Sequence, residues 1–417
     1  MSRLVFCPCS FLSKLCALCA PSTEFTLSLV ERAQDMLCAR YSEFGLQLRL
    51  ARLYYLSMET LREKVGQMIL VGCQGESLTR DEQLIFAEYQ FGGFTLFKRN
   101  CAEPAQLVRL CRKLWDSADS QIPPFIAIDQ EGGRVHRLPD PFTHFPASAR
   151  VGEKNNSHVA RRLGHAAAEE LNLVGINLNF APVLDVDSNP ANPVIGDRAF
   201  GSDPKRVIEI GSSWTQGLRD SGIIPCGKHF PGHGDTETDS HVELPIVRKT
   251  QDELKTVELP PFAHACRTRI ESLMTAHVLY PALDGQVPAT LSEPIVTGLL
   301  RHQFGYDGVV FSDDLEMKAI ADRYGVEETA VLAIRAGVDV LLFCHEVAKA
   351  IQAFEFLCNE SERDPVLRAR VEESHRRIAA LKRRFLKNFT AVAENEIVAR
   401  LAEMGHQRLI DEFHGNL

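Results

Sequence analysis

Residues 222–241 read GIIPCGKHFPGHGDTETDSH, and this stretch joins a short apolar run to a loop crowded with titratable side chains. The run at 222–226 has the length and composition of a buried strand. The loop that follows, from Lys228 to His241, holds three histidines and three acids without helical or strand periodicity. Loops of this kind commonly carry the chemistry of a protein. The stretch therefore predicts a buried strand with a functional site at its end.

The rest of the chain repeats this arrangement. From about Leu61, short apolar runs alternate with amphipathic segments, which is the pattern of repeated βα units. The strand candidates are 66–71, 93–97, 124–129, 176–185, 223–229, 272–277, 308–313 and 338–344. Eight strands with intervening helices, 80–89 and 204–221 among them, predict an α/β protein with a single (β/α)8 TIM-type barrel. A doubly wound open sheet is the alternative, but no GxGxxG turn follows the first strand.

Polar residues end five of the predicted strands. They are Asp129, Asp185, His229, His277 and Asp313. Active sites of barrel enzymes are built from the carboxyl ends of the strands and the loops after them. We therefore expect these side chains to converge on one site.

The predicted barrel covers residues 58–345, with an N-terminal extension at 1–57 and extra C-terminal helices at 346–417 packed on its outside. Arg3 and the apolar residues after it weakly resemble a signal peptide, but Pro8 and Lys14 interrupt the apolar run. We therefore expect a cytoplasmic protein, with export as the alternative. A further interpretation is that the native chain starts at Met58 and that 1–57 is upstream read-through.

Composition narrows the class of protein. The 417 residues are 45% apolar and 24% charged, which is typical of a globular protein, and the formal charge of −9 argues against nucleic acid as a partner. Five of the twelve cysteines lie in the first forty residues. The others fall mostly inside apolar runs, as Cys73 and Cys344 do, which indicates buried free thiols and a reducing compartment.

The triplet Asp239-Ser240-His241 suits proton transfer. Residues two apart on an extended loop can point the same way, so the carboxylate of Asp239 can hold one ring nitrogen of His241 while the other moves a proton. A metal site on one helix face is disfavoured because Pro231 and Gly232 separate His229 from His233. A serine hydrolase is disfavoured because the chain lacks a GxSxG elbow.

The run GVVFSDDL at 308–315 places two carboxylates at the end of a strand. Side chains alternate along a strand, so Asp313 and Asp314 should not both face one point, and the second could cap the following helix. The roles of nucleophile, metal ligand and structural acceptor all stay open for such a carboxylate.

Two other loops carry arginines. In IDQEGGRVHRL at 128–138, Asp129, Arg134 and Arg137 could hold a polar ligand, and an ion pair within the loop is an equal alternative for Arg134. In GDRAFG at 196–201, Arg198 could be a substrate clamp or a member of an ordinary loop ion pair.

Taken together, seven segments resemble glycoside hydrolase family 3, and within it the bacterial β-N-acetylglucosaminidases. The segments are LREKVGQMILVG, AIDQEGGRVHRL, NFAPVLDV, IGDRAFG, KHFPGHGDTETDSH, MTAHVLYPALD and GVVFSDDLEM, spread from about Leu61 to about Cys344. The resemblance implies a retaining glycosidase with Asp313 as the nucleophile. It also implies His241 as the general acid/base and Asp239 as the group that orients it, where most retaining glycosidases use two carboxylates.

The same resemblance implies a binding set for the terminal sugar, namely Asp129, Arg137, Arg198, Lys228 and His229. It implies no metal and no cofactor. The implied substrate is a muropeptide, or its anhydro form, with a non-reducing β-1,4-linked N-acetylglucosamine that is removed during cell-wall recycling. We separately expect a monomer with no nucleic-acid or membrane partner. The alternatives are a β-glucosidase or a glycoside phosphorylase on the same fold, and a sugar-binding barrel without activity.

Overall fold

The computed structural model describes residues 60–118, 122–240, 243–386, 389 and 391–415. Within this part of the chain, eight parallel strands close into a barrel in chain order. The strands are β1 (Ile69–Gly72), β2 (Gly93–Leu96), β3 (Phe125–Ile128), β4 (Leu178–Asn179), β5 (Ile224–Phe230), β6 (Ser272–Thr275), β7 (Val309–Asp314) and β8 (Val340–Phe343). Leu70 pairs with Gly93 on one side and Leu342 on the other, which closes the ring. The predicted (β/α)8 barrel is confirmed, and the open-sheet alternative is wrong.

Helices connect the strands and continue beyond them. Up to β5 they are α1 (Leu61–Gln67), α2 (Arg80–Tyr89), α3 (Pro104–Asp116), α4 (Ser148–Lys154), α5 (Ser157–Val174) and α6 (Pro204–Asp220). After β5 they are α7 (Gln251–Thr256), α8 (Leu259–Arg267), a π-helical segment (Pro294–Gln303), α9 (Lys318–Ala321) and α10 (Val326–Ala336). After β8 come α11 (Val347–Arg363), α12 (Pro365–Phe385), α13 (Ile397–Met404) and α14 (His406–His414). Short 3-10 turns lie at Lys98–Asn100, Gly196–Arg198 and Ala289–Leu291.

Local sequence signals account for the helix ends. The Thr79 side chain accepts the backbone N–H of Glu82, and the Glu82 side chain accepts that of Thr79, so a capping box starts α2. Gly175 ends α5 in the left-handed conformation, with φ of 91°, which glycine adopts without strain.

All eight predicted strands differ from the observed ones by at least one residue at an end, and the first and fourth differ most. The first strand starts at Ile69 rather than at 66, because Gly66 lies in the last turn of α1. Glycine is needed there, since a Cβ would come within 2.5 Å of the Tyr89 carbonyl oxygen. The fourth is only Leu178–Asn179, although 176–185 was expected. Pro182 has no N–H to donate to a ladder, and beyond it only an isolated bridge joins Val183 to Lys228.

Aromatic rings fill the barrel interior. Phe311 on β7 contacts Phe125 on β3 at 5.7 Å and Phe180 beyond β4 at 5.8 Å, both edge to face. Because β3 and β7 lie on opposite sides of the ring, these contacts cross the barrel. Lys382 on α12, which is 1% exposed, donates to the Gln67 side chain and the Gly92 carbonyl at 2.6 Å each. The barrel therefore offers no through-pore, and any cavity must lie at one end of it.

Several predictions concern residues beyond the barrel or outside the described part. The extension 1–57 and the proposed start at Met58 lie outside the described residues.

Seven cysteines in the described part, Cys73 and Cys344 included, are buried and free, which confirms the prediction for those thiols. Among the described helices, none is long and apolar enough to cross a membrane.

Candidate active site

A cavity of about 710 Å³ opens at the carboxyl ends of the strands. Seven of the predicted site residues line it: Asp129, Arg137, Arg198, Lys228, His229, Asp239 and Asp313. His241 lies outside the described residues. The tertiary structure thus brings together side chains that the sequence spreads over almost two hundred positions.

Lys228 lies at the centre of a buried ion-pair cluster. Its Nζ lies 2.5 Å from Oδ1 of Asp129 and 2.6 Å from Oε1 of Glu131. Arg198 forms a fork with both Glu131 carboxylate oxygens, at 2.8 and 2.9 Å. Burial alone would raise the pKa of Glu131, but Arg198 and Lys228 hold it well below its usual range. Burial alone would lower the pKa of Lys228, but Asp129 and Glu131 raise it overall. Both Glu131 and Lys228 are therefore charged at neutral pH.

Glu131 is a residue of this site that sequence reasoning missed. Its side chain is 2% exposed, and it connects the loop after β3 to both Lys228 and Arg198. The signal was available, since Glu131 stands two positions after Asp129, the same spacing that singled out Asp239 and His241. Of the two alternatives for Arg198, the structure shows the ion pair, whose partner is Glu131, and the substrate clamp stays a prediction.

His229 is oriented from behind by Asp185. The Nδ1 atom of His229 lies 2.6 Å from Oδ2 of Asp185. The other oxygen, Oδ1, accepts the backbone N–H groups of His229 and His233. Burial would raise the pKa of Asp185, but the neighbouring His229 and the hydrogen bonds lower it overall. An ionised carboxylate needs a donor at Nδ1, so Nε2 of His229 is left for the cavity. Asp185, predicted to end the fourth strand, lies six residues beyond the end of β4 and supports the site without lining the cavity.

Asp313 is the last residue but one of β7 and is held as a carboxylate. Burial acts to raise its pKa, but His277 and His229 nearby and the backbone N–H of Asp314, donated to Oδ1 at 2.8 Å, lower it overall. His277 lies behind, with Nδ1 2.8 Å from the Thr290 hydroxyl and Nε2 2.9 Å from the Asp314 carbonyl oxygen. An ionised carboxylate facing a polar cavity is suited to nucleophilic attack.

Asp314 differs in its partners from Asp313. Its Oδ1 accepts the backbone N–H groups of Glu316 and Cys344, so it supports the turn after β7 rather than capping α9, whose N-cap is Met317. Both aspartates line the cavity, contrary to the expectation from strand alternation. The ladder between β7 and β8 shifts register between Phe311 and Asp314, which breaks the simple alternation.

The arginines of the β3 loop separate into two roles. Arg134 pairs with Asp197 at 2.8 Å, with both side chains about half exposed, so it joins two loops at the cavity rim. Arg137 lines the cavity, and its buried Nε has no acceptor among the described residues.

The loop that carries Asp239 is anchored by His233. The His233 ring bonds the Thr236 hydroxyl through Nδ1 at 2.9 Å and the Ser240 hydroxyl through Nε2 at 3.2 Å. Burial lowers the pKa of His233 to about 4, so the ring is neutral and its role here is to connect the loop. The Ser240 carbonyl accepts the backbone N–H of Ala319 at 3.2 Å, which brings the loop against the start of α9.

The cavity suits an uncharged polar ligand. Its acids at 129 and 131 are matched by Lys228 and Arg198, so donors and acceptors face the cavity without a large net charge. Among the described residues, no three histidine, cysteine, aspartate or glutamate side chains are grouped so as to hold a metal ion. Fold and site together define a barrel enzyme with a carboxylate poised at the end of β7.

Comparison with known proteins gives the family. The model of the glycosyl hydrolase family 3 N-terminal domain matches residues 60–381, and the chain belongs to that family. The predicted family and the predicted glycosidase are thereby confirmed. A β-hexosaminidase of Thiobacillus denitrificans is 40% identical over 283 residues, which cover 66% of this chain and 78% of that protein. One from Alkalilimnicola ehrlichii is 39% identical over 318 residues, covering 74% and 88%.

Solved structures agree with this assignment. A family 3 β-N-acetylglucosaminidase from Paenibacillus sp. FPU-7 has a TM-score of 0.77 at 40% identity. The match covers 83% of this chain and 69% of that one.

Proposed function

We propose that the protein is a retaining β-N-acetylglucosaminidase that removes the non-reducing β-1,4-linked N-acetylglucosamine from muropeptides. The observation that carries this proposal is the meeting, in one cavity, of the ionised Asp313 with Asp239 and the Lys228 cluster. The similarity to β-hexosaminidases supports the sugar specificity.

In the first step, a carboxylate oxygen of Asp313 attacks the anomeric carbon, and the bond from that carbon to the leaving oxygen breaks. The leaving oxygen takes a proton from the imidazolium of His241, whose charge the carboxylate of Asp239 stabilises. The products are a covalent glycosyl-enzyme and the released leaving group.

In the second step, neutral His241 takes a proton from a water molecule, whose oxygen attacks the anomeric carbon from the opposite side. The bond to Asp313 breaks, and the carboxylate returns. Two displacements at one carbon leave its configuration unchanged, which is retention.

The remaining residues bind and orient the sugar. Lys228 keeps a fixed position through Asp129 and Glu131, so its ammonium and the Asp129 carboxylate present donors and acceptors to sugar hydroxyls. His229 presents Nε2, while Arg198 and Arg137 complete the binding set. Because these groups are held before substrate arrives, little ordering is required on binding.

A histidine in the acid/base role supports one second candidate. Neutral imidazole does not repel an incoming phosphate as a carboxylate would, so a glycoside phosphorylase would also suit this arrangement. Assays of N-acetylglucosaminides and glucosides, with and without phosphate, separate the two activities and also test the β-glucosidase alternative.

The physiological setting forms part of the proposal. We infer that the protein works as a monomer in the cytoplasm, on fragments of recycled cell wall, without a metal or cofactor. Cell fractionation and the mass of the native N-terminus test the location and the start at Met58. If no metal is required, turnover should be unchanged after prolonged treatment with a chelator.

The decisive experiment is trapping of the intermediate. A 5-fluoro-N-acetylglucosaminyl fluoride, which slows the second step, should add one sugar to the protein, and peptide mapping should place it on Asp313. Asp314→Asn is the matched control and should still be labelled at Asp313. A label on another residue contradicts the proposed mechanism. So does turnover without any label, in which the acetamido oxygen of the substrate itself attacks the anomeric carbon and forms an oxazoline. Absence of hydrolysis of any β-N-acetylglucosaminide contradicts the activity itself.

A further inference from the structure

One part of the cavity wall takes no role in the proposed chemistry. It comes from the loops after β2, β7 and β8 and includes Phe97, Lys318 and His345. They come from other loops than the Lys228 cluster, which is built by the loops after β3 and β4 and by β5. The question is which portion of a substrate would meet this wall.

His345 is exposed and yet firmly oriented. Its side chain is 57% exposed, while Nε2 lies 3.3 Å from Oδ2 of Asp314. The backbone N–H of His345 donates to the Glu316 carboxylate at 2.6 Å, and its carbonyl accepts from the Gln74 side-chain amide at 2.8 Å. Exposed side chains normally keep their rotamer freedom, so contacts that hold an exposed ring at a cavity rim indicate a preformed binding surface.

Phe97 forms the second layer of this surface. The His345 and Phe97 rings stack with centroids 5.8 Å apart and planes at 30°. The Arg99 guanidinium carbon lies 4.5 Å from the Phe97 ring centroid. Arg99 also donates to the carbonyls of Cys73 and Cys344, at 3.0 and 2.6 Å, and so connects the loops after β1 and β8. The stack is therefore part of the barrel rim rather than a mobile side-chain pair.

The β7 loop contacts both the loop that carries Asp239 and the stack. The loop with Asp239 meets the β7 loop, because the Ser240 carbonyl accepts the N–H of Ala319. Ala319 follows Lys318, a cavity residue, and Asp314 of the same β7 loop contacts His345. A leaving group must lie next to the acid that protonates it. The Phe97–His345 stack lies in the same cavity and is joined through the β7 loop to the loop that carries Asp239.

We propose that the Phe97–His345 stack is the leaving-group subsite and binds the pyranose ring of the second sugar. This inference rests on the proposed glycosidase function. The apolar C–H face of a pyranose packs favourably on the flat face of a ring, and His345 presents such a face next to the Asp314 carboxylate. The subsite thus favours disaccharide substrates over glycosides with a small leaving group.

The test compares two substrates of each variant. N,N′-diacetylchitobiose has a sugar leaving group, and methyl β-N-acetylglucosaminide has one without a ring. We define the ratio as kcat/KM for the disaccharide divided by kcat/KM for the methyl glycoside. In His345→Ala this ratio should fall about tenfold, mostly because KM for the disaccharide rises. Loss of the contact with Asp314 could also disturb the neighbouring nucleophile, but that would slow both substrates equally and would leave the ratio unchanged.

Two further variants separate stacking from hydrogen bonding. In His345→Phe the ratio should stay within about twofold of wild type, because a ring is retained. In His345→Gln the ratio should fall as far as in His345→Ala. The matched control is His302→Ala, an exposed histidine away from the cavity, which should leave the ratio unchanged. An unchanged ratio in His345→Ala, or equal ratios for His345→Phe and His345→Gln, overturns the subsite. If wild type hydrolyses neither substrate, the proposed function fails, a result distinct from a changed ratio.

Discussion

The Nζ of Lys228 lies 2.6 Å from Oε1 of Glu131, although both side chains are only 2% exposed. A buried charge is tolerated when partners surround it, and removal of one partner leaves an uncompensated charge. Here Glu131 pairs with two cations, Lys228 and Arg198, so it stabilises both the fold and the positions of the groups proposed to bind sugar.

We therefore expect Glu131→Gln to be strongly destabilising. Loss of the carboxylate should reduce the free energy of unfolding by about 3 kcal/mol, because Lys228 and Arg198 stay buried with one countercharge fewer. Urea unfolding followed by circular dichroism measures this change. Asp197→Asn is the control: it breaks the half-exposed pair with Arg134 and should cost less than about 1 kcal/mol. Equal losses in the two variants would contradict the assigned importance of the buried cluster.

Asp185→Asn should impair sugar binding through His229. An amide in place of the carboxylate can direct its NH₂ group at Nδ1, which favours the tautomer with a proton on Nε2 and so reverses the hydrogen bond offered to the substrate. We expect kcat/KM to fall about tenfold or more, with KM raised, in steady-state assays. Asp187→Asn, two positions along and outside the cavity lining, should retain wild-type constants. A normal KM in Asp185→Asn would show that the orientation of His229 does not matter.

Asp239→Asn should lower kcat/KM more for substrates with poor leaving groups than for substrates with good ones. A methyl glycoside needs its leaving oxygen protonated, whereas a 2,4-dinitrophenyl glycoside does not. The loss in kcat/KM should therefore be at least about tenfold larger for the methyl glycoside. Asp235→Asn is the matched control on the same loop, since Asp235 pairs with Lys249 outside the cavity lining. A uniform loss for both substrates would remove Asp239 from proton transfer.

The stability of the fold should depend on the protonation of His406. This residue of α14 lies between Glu169 and Glu170 of α5, at 3.0 and 3.2 Å, and it is 10% exposed. Burial acts to lower the pKa of His406, but Glu170 and Glu169 raise it overall. Since the folded pKa exceeds the unfolded value, the stabilisation is complete below the unfolded pKa and is lost as the pH rises through the folded one.

Unfolding at about pH 5.5 and about pH 8.5 tests this dependence. His406→Gln should lose more stability relative to wild type at the lower pH than at the higher one. His302→Gln, at an exposed position, should show no such difference. A pH-independent effect of His406→Gln would mean that the ring contributes by packing alone.

Some features were predictable because they depend on neighbours in the chain. The strand-end residues Asp129, His229 and Asp313 follow short apolar runs, and parallel strands in a barrel must end at one face. The helix ends at Thr79 and Gly175 also follow from local chemistry.

Other features depended on partners far away in sequence. Glu131 acquires its role through Lys228 and Arg198, and Asp129 meets Lys228 across 99 positions. Strand periodicity could not show that Asp314 also lines the cavity, because the register shift arises from pairing with β8.

The sequence by itself therefore determined the barrel, its family and the carboxylates and histidine available at the strand ends, since apolar periodicity and motif spacing are properties of adjacent residues. Only the tertiary structure decided which of these groups face the cavity and which support it from behind. Asp185 and His277 lie behind the cavity lining, while Glu131 and the exposed His345 lie in it. The physical reason is that burial and charge neutralisation are set by contacts made only when the barrel closes.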